Sequence, residues 1–410
     1  MLIKKRKPNL RFTDFKEDWV FKKLGDVGAL ISGLTYSPKD IGSNGVLVLR
    51  SSNVQKGVLV FDDNVYVNSV KYNPVFENDI LICVRNGSKN LIGKNALITK
   101  EAEGVAFGAF MTVFRSDLNR FVFQLLATNS YFRIIYQNLG ATINSINGSD
   151  LKKFIFFFPK EKQEQQKLVN FLTAIDNHIQ TLEKKKTLLE QYKKGVLQKI
   201  FKQELRFKDD TSTSLSTSDG NAFADWEEKK LGKLTYKVGK KNKENINYPI
   251  YSINNQEGFR PQSEQFEGLD SNDRGYDISL YKIVKKETFA YNPARINVGS
   301  IGYSFELNEV IISSLYVCFK TNKELEDLYL LAYLDTNKFN KNILRYEEGG
   351  VRQYLFYENF SQIKIPLPSN AEQTKIANFL SAIDISVELV TKKIEHTKTF
   401  KKGLLQQMFV

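Results

Sequence analysis

With 410 residues, 42% of them hydrophobic and 12% aromatic, the chain has enough apolar material for two or three domains and too much for a disordered protein. A formal net charge of +13 favours a polyanionic partner, nucleic acid first and an anionic membrane surface second. No apolar run reaches the roughly 18 residues of a membrane span, and the basic start MLIKKRKPNLRF lacks a signal peptide's apolar stretch, so a cytoplasmic protein with no membrane partner is expected.

In chain order, residues 9–25 (NLRFTDFKEDWVFKKLG) come first, and they return later as Leu205-Arg206-Phe207, Asp225-Trp226 and Lys229-Lys230-Leu231-Gly232. The stretch 27–150 then carries short β-branched and aromatic runs at 46–52, 57–63, 78–88 and 109–116, followed by one helical run at 120–139. Residues 164–201 form a long amphipathic helix by their steps of three and four, with no proline to interrupt it. Ser, Thr and Asp dominate 208–222, the composition of a solvated linker. The second half repeats the layout, with strand-like runs at 248–255, 288–306 and 309–320 and a helical run at 327–339. Residues 372–409 then repeat 164–201 without a gap, 208 positions on: Glu164-Gln165, Phe171-Leu172, Ala174-Ile175-Asp176 and Lys193-Lys194-Gly195 return as Glu372-Gln373, Phe379-Leu380, Ala382-Ile383-Asp384 and Lys401-Lys402-Gly403.

The protein is therefore a duplicated half-molecule, and the period is too long for a solenoid. Strands followed by helices make each variable part an α+β domain. A narrow apolar stripe this long needs a partner helix, and the other copy is the obvious one. Internal two-fold symmetry would make the pair antiparallel, as an isologous contact does. Its packing residues are expected to be Phe171, Leu172, Ile175, Ile179 and Leu182 with Phe379, Leu380, Ile383, Val387 and Val390. Ser369 and Glu372 have capping-box spacing at the second helix start.

Little in the sequence suggests catalysis. There is no G-x-x-x-x-G-K-[ST] loop. The only histidines, His178 and His396, occupy non-equivalent places on the helices, which argues against a metal site or a Ser-His triad. Cys83 and Cys318 fall in apolar runs of different halves and read as buried thiols. The chain reads as a binder, and the candidates are polar loops between strands. In the first half these are Arg50, Ser51 and Asn53, then Arg85, Asn86, Gly87, Ser88, Lys89 and Asn90; in the second they are Asn254, Asn255, Arg260, Asn292, Arg295, Asn297, Arg352 and Gln353. Arginine can bond guanine O6 and N7, and asparagine or glutamine adenine N6 and N7. Glycine admits a phosphate close to the backbone, and lysine supplies charge.

Taken together, the doubled proline–(E-Q)–F-L-x-A-I-D signatures (Pro159 with 164–176, Pro368 with 372–384), the doubled K-K-G ends, the D-W…K-K-L-G openings and the strand at 78–88 resemble the specificity subunits of type I restriction-modification systems. The likeness covers essentially the whole chain. One departure is that the first P-x-x-x-x-E-Q is a residue longer than the second, and FIFFFP stands where I-P-L-P is usual. The resemblance implies two target-recognition domains, 1–158 and 223–366, separated by an antiparallel pair of conserved long helices within 159–207 and 367–410, with 208–222 as linker. Each domain would read half of a bipartite, asymmetric site in double-stranded DNA. The helices would set the spacer and dock two modification subunits, which use S-adenosylmethionine to methylate adenine. Two restriction subunits would add the motor and nuclease, with ATP and magnesium. The chain itself would be non-catalytic and bind no cofactor or metal. The alternatives are a self-contained methyltransferase or restriction enzyme, and a basic coiled-coil scaffold without sequence preference.

Overall fold

The computed structural model describes residues 7–68, 71–139, 144–208, 215–216, 223–255, 257–266 and 268–410. The chain forms two compact units, residues 1–183 with 391–410 and residues 184–390. Most of the expected linker, 209–214 and 217–222, lies outside the described residues; Leu215–Ser216 is a short strand paired with Arg206–Phe207.

The two units share one sheet order, one parallel strand pair and a base ladder, while the sheets that hold the parallel pair differ in strand order. In the first, a four-stranded antiparallel sheet runs Ala29–Ser32, Met111–Arg115, Ile80–Cys83, Asn95–Leu97. Its counterpart in the second runs Thr235–Val238, Val317–Thr321, Phe289–Tyr291, Ile301–Tyr303. Another sheet in each unit contains one parallel pairing: Val46–Leu49 beside Ala106–Phe107, and Ile250–Asn254 beside Val310–Ile312. A two-stranded ladder closes each base, Val20–Lys23 on Ile155–Phe158 and Glu227–Lys230 on Lys364–Leu367. The runs at 288–306 and 309–320 each resolve into two strands, Phe289–Tyr291 with Ile301–Tyr303 and Val310–Ile312 with Val317–Thr321.

Each single helical run expected from sequence is two helices: Asn129–Gln137 follows Asn119–Leu125, and Asn337–Tyr346 follows Asp327–Leu334. The break has a local cause. The hydroxyl oxygens of Thr128 and Thr336, 208 positions apart, accept the N–H of Tyr131 and of Phe339 and start a new helix.

The long helices are continuous, the central one over Lys162–Phe201 (40 residues) and the C-terminal one over Asn370–Met408 (39 residues). Within each unit a segment of one lies antiparallel to a segment of the other. In the first unit Asp176 pairs with Lys401 and Glu183 with Lys398, so one sequence rises as the other falls. Leu168, Val169 and Leu172 pack there with Leu404, Leu405 and Met408. In the second unit Val196, Leu197 and Ile200 share a core with Ile376, Leu380 and Ile383. Ile179, Leu182 and Val390 are buried, and Ile175, Phe379 and Val387 are partly buried against their units' cores. Phe171 turns outward and meets Phe12 edge-on at 5.9 Å.

The repeated openings form a clamp at each helix start. Arg11 donates twice to Glu164 at 2.6 and 2.7 Å, and the Trp19 indole N–H donates to the same carboxylate at 3.2 Å. Arg206 donates twice to Glu372 at 3.1 and 2.8 Å, and Trp226 joins at 2.8 Å. Half of the expected capping box forms: Ser369 Oγ accepts the Glu372 N–H, while the Glu372 carboxylate goes to Arg206 and Trp226 instead of back to the cap. The extra residue before the first helix changes nothing in this arrangement. Gln165 and Gln373 still reach the carbonyls of Pro159 and Pro368, at 2.7 and 3.0 Å.

The far ends of the helices are aromatic. Phe201 packs on Trp226, Tyr329 and Tyr333 in the second unit, and Phe409 on Trp19 and Phe121 in the first. Beside them the Leu205 N–H bonds the Lys199 carbonyl, and the Leu10 N–H bonds the carbonyl of Gln407, 208 positions after Lys199.

Candidate nucleic-acid interface

The chosen loop residues fall at matching places in the two units. Arg50, Ser51 and Asn53 leave the end of the parallel-paired strand Val46–Leu49, and Asn254 and Asn255 close the corresponding strand Ile250–Asn254. Residues 85–90 join Ile80–Cys83 to Asn95–Leu97; Asn292, Arg295 and Asn297 join Phe289–Tyr291 to Ile301–Tyr303. These equivalences are invisible in the residue identities and follow from strand order alone.

In each unit the loops touch. Asn86 donates its amide to Ser51 Oγ at 2.7 Å, and its Oδ1 accepts the Ser88 N–H, shaping the turn through Gly87. A third loop, just before the helix Gly148–Lys153, joins them: the Asn86 N–H bonds the Asn144 carbonyl, and the Asn144 amide bonds the Gly87 carbonyl at 2.9 Å. In the second unit Ser300 Oγ donates to the Ile253 carbonyl at 2.9 Å. Gly299 sits so close to Asn255 that a Cβ would lie 2.8 Å from its carbonyl oxygen, at a φ of +91° that favours glycine in any case. The third loop, carrying Arg352 and Gln353, joins through the Leu355 N–H and the Pro293 carbonyl. Asn144 is not among the residues expected from sequence and emerges only through its contacts.

The side chains have different roles. Arg85, Arg295 and Arg352 are exposed and have no ion pair among the described residues. Arg85 lies over the Phe110 ring at 5.5 Å. Gly87, Ser88, Lys89, Asn90, Asn255 and Asn297 are also exposed. Two expectations need correcting. Asn53 is 0% exposed, accepting from the Arg50 N–H and donating to the Val60 carbonyl, so it shapes the loop and offers nothing outward. Arg260 lies on the strand Gly258–Pro261, beside the strand that ends in Asn254, and not in a loop, with its guanidinium paired to Glu257 and Glu264. Arg50 is intermediate, half-buried and bonded to Asp63 at 2.8 Å. Gln353 folds its amide back onto the Gly349 carbonyl, and Asn292 and Asn254 accept backbone N–H groups within their own loops.

Behind the loops the environment is apolar. Burial pushes the Cys83 thiol up and the half-buried Lys94 and Lys282 ammoniums down. Lys94 is anchored on the Val54 carbonyl, at the foot of the first loop. Among the described residues no group of three or more His, Cys, Asp or Glu side chains is placed to hold a metal ion, and no helix is long and apolar enough to cross a membrane.

An α+β scaffold built twice, presenting the same three loops with different side chains, defines a duplicated recognition protein. The chain belongs to the type I restriction modification DNA specificity domain family, whose model matches it over residues 16–191 and again over 224–398. It is 26% identical to a Methanocaldococcus jannaschii protein assigned as the MjaX specificity subunit of a type I restriction enzyme, over 96% of this chain and 93% of that one. It is 23% identical to the StySPI specificity subunit of Salmonella potsdam, over 96% and 88% of the two chains. Its fold is that of the type I restriction-modification S subunit from M. genitalium, with a TM-score of 0.58 at 18% identity, covering 98% of this chain and 99% of that one.

Proposed function

We propose that this chain is the DNA-reading subunit of a type I restriction-modification complex, with residues 1–158 and 223–366 as its two recognition domains and no catalytic role of its own. In each domain the three converging loops face one half of a bipartite, asymmetric duplex site. Arg85, Asn86, Gly87, Ser88, Lys89 and Asn90, supported by Ser51 and Arg50, serve one half-site. Asn255, Asn292, Arg295, Asn297, Arg352 and Gln353, with Asn254 beneath them, serve the other. The observation that carries this reading is that the same antiparallel sheet, parallel strand pair and base ladder recur in both units with different exposed side chains on equivalent loops. Conserved geometry with variable chemistry is what two different readers on one scaffold require. Arginines without ion pairs beside amides suit base edges, and the excess of positive charge suits phosphate.

The long helices set the spacer between the half-sites and dock two modification subunits, which bring S-adenosylmethionine; two restriction subunits bring ATP and magnesium chemistry. The continuity of both helices supports the spacer role. The test is exchange of residues 27–150 for those of a relative, followed by mapping of methylated adenines in cells that supply the other subunits. One half of the site should change and the other half stay. A chimera that alters both halves, or neither, would overturn the reading.

A further inference from the structure

Two exposed apolar side chains occupy one structural position in the two units. In the first unit the strand Ala106–Phe107 passes into Met111–Arg115 through a tight turn closed by the Met111 N–H on the Gly108 carbonyl, at 2.8 Å. The third residue of that turn is Phe110, 56% exposed. In the second unit Val310–Ile312 passes into Val317–Thr321 through a turn closed by the Tyr316 N–H on the Ser313 carbonyl, at 3.2 Å. The third residue there is Leu315, 77% exposed. The turns share no sequence, GAFM against SSLY, yet both hold a large apolar side chain out of the core at the same place.

Single exposed apolar residues are ordinary on a protein surface. These two are set apart by their neighbours. The Phe110 carbonyl accepts the N–H groups of Val84 and Arg85, so the turn is fastened to the loop that carries the candidate arginine, whose guanidinium also covers the Phe110 ring. In the second unit Tyr316, next to Leu315, accepts the Ile253 N–H through its hydroxyl, at the root of the Asn254–Asn255 loop. Each turn is thus a fourth part of its unit's loop cluster, and it holds a large apolar side chain outward on a fixed backbone.

We propose that Phe110 and Leu315 are specificity-determining residues, each making an apolar contact with the C5-methyl group of a thymine in its half-site. The thymine methyl is the one apolar feature that a base pair shows in the major groove. A rigid turn that projects a hydrocarbon side chain beside arginine and asparagine matches a methyl beside hydrogen-bonding base edges. This inference rests on the proposed DNA reading of the loops.

The experiment uses the full chain assembled with its modification subunits, on duplexes carrying the site found by methylome mapping. Each thymine of the half-site assigned to the first unit is replaced in turn by deoxyuridine, which removes only the methyl. At one thymine the unaltered complex should lose about fourfold in affinity, the effect of roughly one buried methyl-sized group. Phe110→Ala should bind the thymine duplex about fourfold more weakly or worse and be indifferent to deoxyuridine at that position, while Phe110→Leu keeps part of the difference. Leu315→Ala should do the same in the other half-site. Melting curves of the variants should match the parent, since both side chains lie outside the core. Sensitivity to deoxyuridine retained at every thymine in Phe110→Ala would overturn the proposal, as would no sensitivity at any thymine in the parent. Arg85→Ala separates this failure from the larger one: if it relaxes a position while Phe110→Ala changes nothing, only the methyl contact is lost. If neither variant alters the site, the loops are not the reading surface.

Discussion

Lys193 and Asp384 are joined at 2.7 Å in the second unit, and the residues 208 positions from each, Lys401 and Asp176, are joined at 2.6 Å in the first. The same bond is made in each unit with donor and acceptor exchanged between the two helices, as a duplicated chain requires. It sets the antiparallel register in each unit independently. Both pairs are partly open to solvent, so they contribute specificity of register more than stability. Lys193→Ala should lower stability by no more than about 1 kcal/mol, and Lys193→Asp combined with Asp384→Lys should regain only part of what either single change loses, because Lys193 also lies 3.9 Å from Asp335; urea unfolding midpoints measure both.

The clamps at the helix starts should behave differently. Glu372 is 0% exposed and satisfies Arg206 and Trp226 together. Glu372→Gln leaves a guanidinium in a dry site without its counter-charge, which costs on the order of 3–5 kcal/mol. Glu164→Gln should cost a similar amount through Arg11 and Trp19. Equilibrium unfolding followed by tryptophan fluorescence would measure the loss, and a change below about 1 kcal/mol would contradict the assigned role.

Two glycines in the candidate loops should separate shape from contact. A Cβ on Gly87 meets nothing within 4 Å, so Gly87→Ala should leave stability within roughly 0.5 kcal/mol and weaken DNA binding only if the backbone is closely approached. Gly349 has a φ of +139°, and a Cβ there would lie 2.1 Å from the Arg352 carbonyl oxygen. Gly349→Ala should therefore distort the Arg352 loop and alter only the half-site read by the second domain. Methylome mapping of both variants checks this.

Insertion of four residues within 182–192, about one helical turn or ~6 Å, should lengthen the recognised spacer while leaving both half-sequences intact. Sequencing of methylated sites is the measurement; an unchanged spacer would count against the helices as a ruler.

Both thiols should be silent in the folded chain. Burial pushes Cys318 up to about 11 and Cys83 upward as well, and the thiolate is the reactive species. Because a raised pKa removes thiolate at every pH below it, labelling at pH 8 should be slow and should rise about tenfold per pH unit. Mass spectrometry should find two modified cysteines only after unfolding.

The sequence made the duplication and both long helices readable, because a 208-residue offset and a helical apolar period need no tertiary knowledge. It also displayed the LRF, DW and EQ elements twice without their purpose, since Arg11 meets Glu164 across 153 positions and no local pattern announces such a pair. The part of the strand plan that the variable parts share was hidden for a related reason. Strand order is set by hydrogen bonds between segments, and the side chains on it have diverged. Asn53 shows the opposite difficulty. Next to Arg50 and Ser51 it has the composition of a recognition loop, and only its buried amide reveals an internal brace. Thr128 and Thr336 could have been read as helix caps, since each precedes an asparagine and a fresh amphipathic run.

One seam of the molecule is sewn with peptide bonds and its twin is merely basted. Phe201 runs on through 202–205 to the Arg206 clamp, whereas Phe409 and Gln407 reach Trp19 and Leu10 by ring packing and one backbone bond. Trimming by a protease at 404–410 would therefore be felt at residues 10–19, far away in sequence, and through Trp19 and Arg11 it would loosen the carboxylate of Glu164.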